Sequence, residues 1–67
     1  MDRIYSVPGI SCDHCRVAIE DEVGKVTGVE QVTVDVDAKT VTVAGEVSDD
    51  SVRTAIDEAG YEVAGVS

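Results

Sequence analysis

The stretch Val29-Glu30-Gln31-Val32-Thr33-Val34-Asp35-Val36 is followed by Asp37-Ala38-Lys39 and then by Thr40-Val41-Thr42-Val43-Ala44. It alternates apolar and polar residues on both sides of a short polar break. Successive side chains of an extended chain point to opposite faces. Val32, Val34 and Val36 therefore share one face, and Gln31, Thr33 and Asp35 the other. Val41 and Val43 resume the alternation after the break. Two such runs joined by Asp37-Ala38-Lys39 read as an antiparallel hairpin with one dry face, as expected of a sheet that packs against helices on one side only.

On the N-terminal side, residues 13 to about 26 carry Ala18, Ile19, Val23 and Val26 at helical spacing, which predicts a helix. Ser11 or Asp13 is its expected N-cap. Gly24 lies inside the predicted span, where it costs about 1 kcal/mol relative to alanine, and Gly28 is placed to end the helix. Residues 3–7 read as a strand closed by the Pro8-Gly9 turn. On the C-terminal side, Ser48 is the expected cap of a second helix, with Asp49 and Asp50 near its positive dipole end. Val52, Ala55, Ile56 and Ala59 form its buried stripe, Gly60 stops it, and residues 61–66 read as the last strand. Thr27-Gly28-Val29 and Ala59-Gly60-Tyr61 each close a helix and open a strand. The order βαββαβ is the split-βαβ, ferredoxin-like pattern of an α+β protein. The expectation is a single domain over residues 1–67, with a four-stranded antiparallel sheet of order 4-1-3-2 and both helices on one face.

Composition narrows the function. The chain has 67 residues, 43% of them hydrophobic, with no Phe or Trp. Its core must rest on Val, Ile and Ala, and β-branched residues favour strands. Fourteen acidic residues against five basic ones give a formal charge of −9. Such a surface is repelled by phosphate backbones and anionic lipids, which argues against nucleic acid as a partner. Membrane insertion is not expected, because no apolar run approaches the roughly 18 residues a spanning helix needs. Met1-Asp2-Arg3 does not resemble an export signal, so a cytoplasmic location is expected.

The chemistry lies in Gly9-Ile10-Ser11-Cys12-Asp13-His14-Cys15, which holds both cysteines and the one histidine of the chain. A Cys-x-x-Cys pair without further cysteines suits a soft metal ion or a dithiol–disulfide cycle better than a structural disulfide. The thiolate is the active form in either use. A helix N-terminus favours it through unpaired N–H groups and partial positive charge. Cys15 is expected in the first turn and Cys12 in the loop before it, so that both sulfurs meet at one accessible spot. Two thiolates suit Cu(I), which accepts soft donors at low coordination. A structural Zn(II) site wants four protein ligands, and no second Cys or His cluster is present to supply them. A His14 ligand would have to share the spot, but a side chain next to Cys15 at the helix start points elsewhere. A plain exposed imidazole is a second reading, and an imidazole whose charge tunes the thiolates from a distance is a third.

The stretch from Gly9 to Cys15, with Gly28-Val29 and Gly60-Tyr61 after the two helices, resembles the heavy-metal-associated domain family, whose motif is Gly-Met-x-Cys-x-x-Cys. The likeness covers essentially the whole chain and looks nearest to the small standalone bacterial copper chaperones. It implies Cu(I) bound by Cys12 and Cys15, and delivery to the N-terminal metal-binding domain of a copper-transporting P-type ATPase. Ile10 stands where the family usually has Met, a residue that packs under the loop, so an apolar plug is retained. Tyr61 matches the bacterial pattern of an aromatic side chain near the metal loop; a core tyrosine with its hydroxyl at the surface fits the sequence too.

The expected function is therefore a metal carrier and not an enzyme. Cu(I) would pass by ligand exchange, the partner's thiolate entering before an original one leaves, as in thiol–disulfide exchange. The chain is expected to be a monomer, with a metal-bridged homodimer open to it through shared copper. A thiol-disulfide oxidoreductase is the competing class. Redox folds of that kind place a proline opposite the thiols and downstream of them, whereas Pro8 lies upstream. Carriage of Zn(II), Cd(II) or Hg(II) is a third reading. Ser11 stands before Cys12 in place of the Asp that would give a zinc-selective relative an oxygen ligand.

Overall fold

A computed structural model describes residues 3–66. In chain order the elements are β1 (Arg3–Ser6), α1 (Asp13–Gly24), β2 (Val29–Asp35), β3 (Thr40–Gly45), α2 (Asp49–Glu58) and β4 (Gly65–Val66). The valine alternation produces the expected hairpin, with Val34 opposite Val41 and Val32 opposite Val43. Its turn is tied by the Asp35 carboxylate, which accepts the Ala38 N–H at 3.0 Å. A register shift between Val29 and Gln31 marks a bulge at the start of β2.

All strand pairs are antiparallel, in the order β2-β3-β1-β4, which is the expected 4-1-3-2 read from the other edge. One transverse row, Val34, Val41, Tyr5 and Val66, links the four strands. The dry side of the sheet receives Ile19 and Val23 from α1 and Val52, Ala55 and Ile56 from α2. Tyr5 is the largest fully buried side chain. Each buried Val or Ile contributes about 1.5–3 kcal/mol over its exposed state. A core of valines, isoleucines and one tyrosine thus suffices without leucine or phenylalanine. Among the described residues no helix is long and apolar enough to cross a membrane.

The two helices end differently. At α2, Gly60 takes φ 95°, its N–H bonds to the Asp57 carbonyl at 2.9 Å, and the Tyr61 N–H reaches back to Ile56 at 3.1 Å. This is a Schellman closure. It draws Tyr61 into the end of α2, which corrects the expected last strand. Residues 61–64 form no ladder apart from the Ala64 N–H on the Ser6 carbonyl at 2.8 Å, and β4 is two residues long. The first helix stops at Gly24, not near Val26, because the N–H groups of Lys25 and Val26 tighten onto carbonyls three residues back. Gly24 is therefore a terminal helical residue. Ser48 caps α2 as expected, accepting the Ser51 N–H at 3.2 Å.

Gly28 and Gly60 have matching left-handed backbones, φ 99° and 95°, in unlike surroundings. A Cβ on Gly28 would collide with the backbone carbonyl of Glu46, whereas one on Gly60 would meet nothing within 4 Å. Gly60→Ala should cost only the left-handed penalty, about 1–2 kcal/mol. Gly28→Ala should cost more than about 3 kcal/mol, because two backbone segments must separate. Urea unfolding of both variants checks this, and equal losses would contradict the close approach at Gly28.

Candidate metal centre

The chain leaves β1 and turns at once. The Ile10 N–H returns to the Val7 carbonyl at 3.1 Å, and the Ile10 side chain is fully buried beneath the loop. Cys12 follows in extended conformation, φ −159°, as the N-cap of α1, its carbonyl accepting the N–H groups of Cys15 at 3.1 Å and Arg16 at 3.3 Å. This corrects the expectation of Ser11 or Asp13 at that position. Asp13 is already helical, and the Ser11 hydroxyl lies 4.0 Å from the Cys15 sulfur. No side-chain hydrogen bond caps the helix start.

Cys15, Ile19 and Val23 are the buried residues of α1, spaced four apart on one stripe. Cys15 is only 7% exposed and belongs to the hydrophobic cluster, whereas Cys12 is exposed. The two sulfurs sit 3.5 Å apart as free thiols, well beyond the ~2.05 Å of a disulfide bond. The centre thus has one anchored sulfur and one that solvent reaches.

Tyr61 lies against the loop, with its ring at van der Waals distance from Gly9: a Cβ built there would be 3.4 Å from Tyr61 Cδ1. The Tyr61 hydroxyl is the largest influence holding the Cys15 thiol well below its ordinary value of 9.0, at about 6. The Ser11 N–H and the thiol and N–H of Cys12 act in the same direction, against the opposing effect of burial. The interaction with the Cys15 sulfur raises the pKa of the Tyr61 phenol, chiefly because the phenol proton serves that sulfur, with burial and the nearby thiolate charge acting in the same direction. Tyr61 packs against both the loop at Gly9 and the hydrophobic cluster. His14 is exposed, and among the described residues no group of three or more His, Cys, Asp and Glu side chains gathers at one point.

Sequence reasoning misses Lys39. It lies 29 positions from Ile10, yet its ammonium donates to the Ile10 carbonyl at 2.5 Å. Lys39 occupies a left-handed turn position, φ 58°, where Gly or Asn would ordinarily stand.

The model of the heavy-metal-associated domain matches residues 4–62. A relative from Staphylococcus haemolyticus, named copper chaperone CopZ, is 38% identical over 66 residues, covering 94% of this chain and 97% of its own length. The Bacillus subtilis protein of the same name is 43% identical over 65 residues, covering 92% and 94%. A solved structure described as CopZ metallochaperone superposes with a TM-score of 0.90 at 30% identity, covering 94% of this chain and 98% of the other. The chain belongs to the heavy-metal-associated domain family.

The depressed Cys15 value links acidity to stability. The unfolded chain holds that proton more tightly than the folded one, so the reduced, metal-free protein gains stability as pH rises from about 6 toward 9.0 and loses it as pH falls through about 6. Ultraviolet thiolate absorbance should report a first deprotonation near 6. Tyr61→Phe should move that step upward, and an unchanged titration in this variant would remove the hydroxyl as its cause.

Proposed function

We propose that this protein carries Cu(I) on Cys12 and Cys15 and passes it to the N-terminal metal-binding domain of a copper-transporting P-type ATPase. The observation that carries the reading is the thiol pair itself: two reduced sulfurs 3.5 Å apart at a helix start, one buried and one exposed. Two soft donors, joined among the described residues by no third Cys, His or carboxylate, suit a monovalent soft ion of low coordination number. They leave a tetrahedral Zn(II) site incomplete.

The asymmetry of the pair suits transfer. Cys15 is a thiolate near neutral pH and is held by the core, so it is the ligand that retains the ion. Cys12 sits at the surface, where an incoming thiolate meets the metal first. That thiolate enters as a third ligand, Cys12 leaves, and a second incoming sulfur then displaces Cys15. Copper is never released to water, and no electron is transferred. Membership in the family and the names of the relatives support a carrier over an oxidoreductase. Pro8 precedes the thiols, so it cannot supply the downstream proline opposite the pair that the redox reading requires. Reduced thiols of this kind fit a reducing compartment, and the cytoplasm is the proposed location.

The surface bears on the partner. Arg16 is paired with Asp13 and Glu20, Lys25 with Asp21 and Glu22, and Arg53 with Asp49, so these cations are neutralised within the chain. The exposed pairs contribute little to stability. What remains is a surplus of carboxylates, which steers the protein toward a basic docking face.

Anaerobic competition titration with Cu(I) and Zn(II) tests the site. The reduced protein should bind one Cu(I) tightly in preference to Zn(II), and Cys12→Ser and Cys15→Ser should each abolish tight binding. Cys12→Ser should leave stability nearly unchanged, while Cys15→Ser, which buries a hydroxyl, should cost about 1–2 kcal/mol. Full Cu(I) affinity in either variant would reject the assignment. Transfer to the acceptor domain should slow as salt rises from about 0.01 to 0.5 M, because screening shortens the reach of surface charge. A rate indifferent to salt would limit the acidic surface to solubility.

A further inference from the structure

We propose that Lys39 is a positioning residue for the metal: its ammonium anchors the Ile10 carbonyl and so holds the exposed Cys12 arm within closing distance of Cys15. The proposal rests on the reading of the thiol pair as a Cu(I) site. Three contacts converge on the exit from β1. The Lys39 carbonyl accepts the Val7 N–H at 2.9 Å, the Lys39 ammonium donates to the Ile10 carbonyl at 2.5 Å, and the Ile10 N–H closes onto the Val7 carbonyl at 3.1 Å. Together they enclose the Pro8-Gly9 turn, and Cys12 begins two residues later.

Two observations separate this arrangement from incidental packing. Lys39 adopts φ 58°, a conformation that disfavours any residue bearing a Cβ and that glycine would take freely. A lysine here disfavours the hairpin, and its side-chain bond to the metal loop is a contact that glycine could not make. The second is the choice of acceptor. In a chain with 14 acidic residues, Arg16, Lys25 and Arg53 all find carboxylates. Lys39 reaches a neutral backbone carbonyl in the metal loop, and among the described carboxylates it forms no ion pair. A charged donor on a carbonyl makes a stronger bond than a neutral one.

Lys39→Gly is the decisive variant, because it removes the ammonium and relieves the backbone at once. Its melting temperature should equal or exceed that of the parent. Its Cu(I) affinity against a chromophoric chelator should fall about ten- to hundredfold, the range expected for loss of one charge-assisted hydrogen bond. In the metal-free reduced protein, NMR order parameters at the Ser11 and Cys12 amides should drop as well. Lys39→Arg should restore both readouts, and Lys39→Met, equally long but without a donor, should not. Affinity and loop order parameters equal to the parent in Lys39→Gly would overturn the proposal, as would full affinity in Lys39→Met. A parent that binds no Cu(I) would strike at the thiol assignment, whereas a parent and Lys39→Gly of equal affinity would strike at Lys39 alone.

Discussion

The whole centre depends on Cys15 being a core residue. Its sulfur continues the stripe of Ile19 and Val23, so the packing of α1 against the sheet fixes one thiol before any metal arrives. Burial alone would keep that thiol protonated. The Tyr61 hydroxyl and the N–H groups of the loop reverse the tendency. A sulfur that is both immobile and anionic is costly to build, and most of the polar detail at this end of the molecule serves that combination. Cys12, as the helix cap, needs only to be near.

Support for the loop comes from segments far apart in the chain. Ile10 fills the space beneath it, Tyr61 arrives from the end of α2, and Lys39 arrives from the hairpin turn. The sheet order makes this convergence geometric. With β1 between β3 and β4, the exit of β1 is flanked on one side by the turn that enters β3 and on the other by the segment that enters β4. Any chain with this topology brings the same three places together. The residues at those places decide what chemistry is done there.

Much of this was legible in the sequence, for identifiable reasons. The hairpin was read from Val32, Val34, Val41 and Val43 because a period of two leaves no competing structure. The stripe of α2 and its Ser48 cap were equally clear. The thiol pair could be placed at a helix start because the turn at Pro8-Gly9 and the following periodicity bracket it. Element ends were less legible. Tyr61 to Ala64 has strand-like residues, but the left-handed Gly60 commits Tyr61 to the helix closure, and only Gly65 and Val66 reach the ladder. The N-cap was misread because Ser11 and Asp13 are good cap formers by type, whereas the position is decided by which carbonyl the first turn uses, and that is Cys12. Lys39 was out of reach, since nothing local links it to a carbonyl 29 residues earlier.

The brevity of β4 has a consequence for how disturbance spreads. Tyr61 is held less by the sheet than by its N–H on the Ile56 carbonyl, at the last turn of α2. Fraying of that turn withdraws the phenol from the sulfur, so the acidity of Cys15 serves as a gauge of order in a helix that contributes no sulfur of its own. Perturbations buried along α2, remote from either cysteine in sequence, will register as altered thiol reactivity before they register as unfolding.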